Sequence, residues 1–142
     1  MITSVAEGTA KDIDRAVAAA KRAYDHSWGL KVPGPERGKL LNKLADLMVA
    51  HADELAALEA LDNGKTFAWA KNIDVNFSIE TIYYYAGWAD KIHGQVIETH
   101  EEKLAYTRHE PIGVVGQIIP WNFPRMSPSN HRFISLRPPC FF

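Results

Sequence analysis

The spacing of apolar residues changes once along this 142-residue chain, and that change limits what it can fold into. Up to about residue 92 apolar side chains return every three or four positions, the period of a helix with one buried face. Beyond that point they alternate or run together, as strands require. Thr9 is placed to cap a first helix, with Asp12 three residues on to face the exposed amides. Ile13, Val17, Ala20, Tyr24 and Trp28 form its stripe, and Gly29, Pro33, Gly34 and Pro35 break it. A second helix is predicted over 36–61, with Leu40, Leu44, Leu47, His51, Leu55 and Leu58 inward and a kink near His51-Ala52. Asp62-Asn63-Gly64 ends it, since glycine or asparagine can take the left-handed conformation that closes a helix. A third has Val75, Ile79, Ile82, Tyr83 and Ala86 on one face and stops before His93-Gly94.

The second half reads differently. Residues 96–98 and 104–108 suit a β-hairpin about the polar turn 99–103. Residues 112–119 (Ile-Gly-Val-Val-Gly-Gln-Ile-Ile) are nearly all apolar, the mark of a strand covered on both faces in a parallel sheet. Helices, a hairpin and one such strand predict an α/β fold whose doubly wound sheet has only begun. The crossover helix and second parallel strand that such a sheet needs are not legible in 125–142, where Pro128, Pro138 and Pro139 interrupt any period. A lone two-sided apolar strand leaves edge groups and hydrophobic surface uncovered, so poor solubility of the isolated chain is predicted.

Composition excludes several classes. Sixteen basic residues against seventeen acidic ones give a net charge of −1 with no basic block, so neither nucleic acid nor an anionic membrane is indicated as a partner. Cys140 is the sole cysteine, which rules out a disulfide within the chain and suits a reducing compartment. Residues 1–8 lack the pattern of a signal peptide, and no apolar run approaches the ~18 residues that span a bilayer. A soluble cytoplasmic protein is expected. His26, His51, His93, His100, His109 and His131 have no metal-ligand spacing, and no metal is predicted.

One short segment carries chemistry. Gly113 and Gly116 are not spaced as a dinucleotide fingerprint, so strand packing accounts for them better. The strand runs into Pro120-Trp121-Asn122-Phe123-Pro124, where on residue type alone Asn122 could equally satisfy the backbone of a turn. This segment resembles the aldehyde dehydrogenase superfamily. Pro35-Glu36-Arg37-Gly38, the Leu-rich helix closing on Asn63-Gly64-Lys65, and Tyr84-Tyr85-Ala86-Gly87-Trp88-Ala89 occur in that family's order and spacing. The likeness covers residues 2–124, as part of an amino-terminal, cofactor-binding domain of Rossmann-like type.

The resemblance implies the rest. Family members oxidise aldehydes to carboxylic acids through a cysteine thiohemiacetal, with NAD or NADP as acceptor. Asn122 would donate its amide to the oxyanion that develops on the former carbonyl oxygen. Ile118, Ile119, Pro120 and Trp121 would form the wall against the dinucleotide, and Phe123 part of the aldehyde tunnel. The hairpin at 93–111 resembles strands that the family lends to an oligomerisation sheet, which implies a homo-oligomeric parent. The family's nucleophilic cysteine, carboxylate base and second cofactor-binding stretch match nothing in these residues. The neighbours of Cys140 do not match the nucleophile's segment, and no adjacent base lowers its pKa. The chain by itself is therefore expected to be inactive, with a non-catalytic oligomerisation or binding module as the alternative. After Pro124 the likeness ends, and 125–142 is expected to be an aberrant tail. Arg125-Met126-Ser127 can be encoded around GTATGT, the form of an intron donor site, so translated intron is one account; any codon but CGT at Arg125 excludes it.

Overall fold

The computed structural model describes residue 4 and residues 6–124. Helix α1 (Ala10–His26) starts as expected, because the Thr9 amide and hydroxyl donate to Asp12 Oδ2 at 2.9 and 2.7 Å. It ends where the Ser27 amide donates to the Ala23 carbonyl, and a 3₁₀ turn (Gly29–Lys31) leads on, entered at Gly29 with φ 56°. Only Ala20 of its predicted stripe is buried, while Ile13 and Val17 stay exposed.

The long second helix is two helices. Helix α2 (Gly34–Ala50) stops at His51, whose φ of −110° leaves the helical region, and α3 (Ala52–Asn63) begins at once. The break falls at the predicted kink. Gly64 closes α3 in the left-handed conformation, φ 81°. Then α4 (Phe67–Trp69), opened by the Thr66 hydroxyl accepting from the Trp69 amide, a π-helical turn (Ala70–Val75) and α5 (Asn76–Ala86) follow without a break in helical backbone.

The core lies where α2 packs on α5 and α3 packs on the π-helical turn. Ala45 and Ile82 meet with Leu41, Met48 and Tyr85 around them. Ala56, Ala70, Val75 and Ile79 form the neighbouring cluster, with Met48 reaching into both. The predicted α5 face is therefore correct except for Tyr83, which is exposed. The Leu-rich stripe is not. Leu40, Leu44, Leu47 and Leu58 are exposed, and the buried face runs through Gly38, Leu41, Ala45, Met48, Ala52, Ala56 and Glu59. Small residues won that position because they let helix backbones approach closely. A Cβ on Gly34 or Gly38 would collide with the Ala89 or Ala86 carbonyl.

Strands β1 (Val96–Ile97) and β2 (Ala105–Tyr106) make the predicted antiparallel hairpin, Val96 opposite Tyr106 and Ile97 opposite Ala105. The Thr99 hydroxyl donates to the Lys103 carbonyl at 2.6 Å and closes the turn. Helices and this small sheet make a partial α/β domain, in line with the sequence. The expected parallel strand at 112–119 forms no ladder, and Gly113 has φ 104°, which is turn rather than strand backbone. A parallel strand is stabilised only by a neighbour reached through a crossover, and none is present among the described residues. Among them, too, no helix is long and apolar enough to cross a membrane.

Candidate functional site

The segment 118–124 lies against the carboxyl end of α3. Two side chains flanking Gly64 reach it, and the left-handed turn at that glycine carries the chain from one to the other. The Asn63 carboxamide nitrogen donates to the Trp121 carbonyl at 2.9 Å and to the Asn122 carbonyl at 3.3 Å. Beyond the turn, the Lys65 ammonium stands 3.9 Å over the centre of the Phe123 ring, within cation–π range. The backbone on either side of the Asn122 side chain is thus held from one helix end.

Lys65 is itself held. Its ammonium pairs with Asp74 Oδ2 and lies 3.5 Å from Glu59 Oε1. Both carboxylates are fully buried and the lysine side chain is 16% exposed. Burying two carboxylates is costly, and a single ammonium between them supplies the opposite charge that makes the arrangement tolerable. The π-helical turn presents Asp74 inward together with Ala70 and Val75. The Asp74 carbonyl also accepts the Ser78 hydroxyl at 2.7 Å. Such turns in a helix often mark functional positions.

The predicted site residues form one contiguous edge. Ile118 is 97% exposed and Trp121 80% exposed, with Ile119 and Pro120 also at the surface. Asn122 is exposed, and no hydrogen bond among the described residues engages its carboxamide. Phe123 is half-buried, with one ring face covered by Lys65. The hairpin lies apart from this edge in the chain; one face is exposed, Val96 at 79% and Leu104 at 78%, and the other carries Ile97 at 47% and a half-buried Ala105.

Sequence reasoning missed Asn63, Lys65, Glu59 and Asp74 as parts of this site, giving Asn63 only a helix-closing role. A signal was there. Glu59 continues the buried face three residues after Ala56, and Asp74 sits between buried Ala70 and Ser78. A carboxylate in phase with a buried stripe calls for a basic partner, and Lys65 lies between the two in sequence.

Comparison with known proteins agrees with the residues. A sequence profile of the aldehyde dehydrogenase family matches residues 1–137. An aldehyde dehydrogenase of Agaricus bisporus is 63% identical over 124 residues, 87% of this chain and 25% of that protein. One from Emericella nidulans is 62% identical over 124 residues, 87% of this chain and 24% of its own length. The NAD+ complex of an aldehyde dehydrogenase from Bacillus cereus superposes with a TM-score of 0.87 at 48% identity, over 92% of this chain and 27% of that one. The chain spans about a quarter of the length of the relatives it matches. With the profile covering most of its residues, the chain belongs to the aldehyde dehydrogenase family.

Proposed function

We propose that residues 118–123 form the oxyanion-donor and cofactor-facing edge of an NAD(P)-dependent aldehyde dehydrogenase that converts aldehydes to carboxylic acids. The observation that carries this reading is the treatment of Asn122, whose carbonyl is held by Asn63 while its carboxamide is left exposed. When a thiolate adds to an aldehyde, the carbonyl oxygen takes up negative charge. A fixed amide N–H₂ offsets that charge without introducing a competing ion, and losing one such donor costs ~10²–10³ in rate.

The residues next to it suit a nicotinamide cofactor. Ile118, Ile119, Pro120 and Trp121 offer exposed apolar surface beside the donor, as a planar ring needs on one side. Bound there, NAD or NADP supplies the hydride acceptor. Phe123 contributes to the aldehyde tunnel through the ring face that Lys65 leaves open. In this reading the nucleophilic cysteine and the base come from family sequence outside the quarter of its length that these residues match. The exposed hairpin is proposed to serve assembly of a homo-oligomer, and the lone Cys140 fits a cytoplasmic setting. The expected aberrant tail at 125–142, with Cys140 and His131, lies outside the described residues, and the family profile extends into it as far as residue 137.

The test places residues 6–124 in a complete enzyme of the family. Asn122→Ala there is expected to lower kcat by ~10²–10³ with little change in KM. An unchanged kcat would remove Asn122 from the reaction.

A further inference from the structure

We infer that Asn63 is a positioning residue for Asn122, an inference that rests on the oxyanion reading above. Its role is separate from closing α3, which Gly64 achieves by its own left-handed backbone. The Asn63 nitrogen bridges two successive carbonyls, those of Trp121 and Asn122, at 2.9 and 3.3 Å. A single donor shared between consecutive peptide units restrains the rotation of the plane between them. The Asn122 Cα lies in that stretch, so its Cα–Cβ direction is restrained as well. One residue on, the Lys65 ammonium over the Phe123 ring restrains the other side.

The anchors differ in rigidity. Asn63 is the last residue of α3, whose preceding turns carry buried Ala56 and Glu59. Lys65 is tied to Glu59 and Asp74, and Asp74 is built into the helical run of the π-turn. The segment 118–124 has no sheet ladder of its own among the described residues. Its orientation is therefore set from α3 and the π-turn. A donor aimed at a developing charge loses most of its effect when it is displaced by about 1 Å. Restraint of the backbone beneath it thus acts on kcat and not on ground-state binding.

The experiment uses the same complete enzyme carrying residues 6–124. Asn63→Leu keeps the size of the side chain and removes the donor. It is expected to lower kcat about tenfold, as loss of one or two net hydrogen bonds would. KM for the aldehyde is expected to stay within roughly twofold. In the Asn122→Ala background the same substitution should cost less than roughly twofold, because no donor is left to misplace. A crystal structure of the Asn63→Leu enzyme should show the Asn122 carboxamide displaced by about 1 Å from its position in the parent. An equal loss of kcat in both backgrounds would show a general structural effect and overturn the inference. An unmoved Asn122 carboxamide would overturn it as well. If Asn122→Ala alone leaves kcat intact, the oxyanion reading fails, and the position of the 121–122 backbone in the Asn63→Leu structure still decides whether Asn63 orients the segment.

Discussion

The helices between residues 34 and 90 and the arm from 94 to 124 achieve order by opposite means. In the helical part, close approach of backbones at Gly34 and Gly38 and the paired clusters around Met48 create a continuous interior from residues near in sequence. In the arm, a two-residue ladder with a few flanking hydrogen bonds is tied to the helices by isolated side-chain contacts. These are Tyr24 to the Pro111 carbonyl at 3.4 Å, Asn63 to two carbonyls, and Lys65 to Phe123. A region that folds on its own packing can carry one that does not, and here the carried region holds the proposed site. The Glu59–Lys65–Asp74 set is where the two meet.

Breaking that junction is expected to have the largest effect. Lys65→Met leaves Glu59 and Asp74 buried without their ammonium, which should cost about 3–5 kcal/mol in chemical denaturation. A loss under about 1 kcal/mol would mean that the carboxylates find water, and that the junction is less dry than its geometry indicates. Next in size is a pair of glycine substitutions. Gly34→Ala drives a Cβ into the Ala89 carbonyl, and should lower global stability by about 1–3 kcal/mol. Gly94→Ala drives one into the Thr107 carbonyl, yet should leave global unfolding nearly unchanged while amide exchange at Thr107 speeds up. Equal effects of the two on global unfolding would erase the distinction between the regions.

The sequence showed most of what is local. Thr9 with Asp12, the break at His51, the left-handed Gly64 and the α5 face all follow from neighbours within a few residues. It misled where the outcome depended on what lies opposite. Leucine is the usual core residue, so the 40-44-47 stripe reads as buried, but close helix approach put Gly38, Ala45 and Ala56 inside one position away. The run at 112–119 has the composition of a buried strand and makes no ladder, because strands are made by pairing and not by residue type. The proposed edge 118–123 could be singled out in the sequence because the motif is contiguous. Its supports, Asn63 and Lys65, act from the far side of α4, the π-turn, α5 and the hairpin, and periodicity carries no information on that contact.

The stripe gives a smaller test of the same contrast. Leu44→Gln, on the exposed side of α2, should change stability by no more than about 0.5 kcal/mol in denaturant titration of this chain. A larger loss would return the leucines to the core and shrink the difference between helix region and arm.

The smallest effect concerns α1, which lies outside both stretches and opens on the Thr9–Asp12 cap. Hydrogen bonds from the Thr9 side chain and backbone hold the Asp12 carboxyl below its ordinary 3.8. A carboxylate with a lowered folded value contributes stability in full above the unfolded value, and loses it as pH falls through the folded one. Helicity of α1 should therefore be level from pH 7 to about 5 and decline below about 4, with Asp12→Asn removing that part of the decline. The carboxylate is exposed, so the change will be slight and salt-sensitive. Exchange at the Asp12 and Ile13 amides, which donate to the Thr9 carbonyl, reads it directly. If exchange there quickens in acid while 34–90 stays protected, α1 is a third unit held by its own ends; if both open together, α1 is coupled to the core despite its exposed stripe.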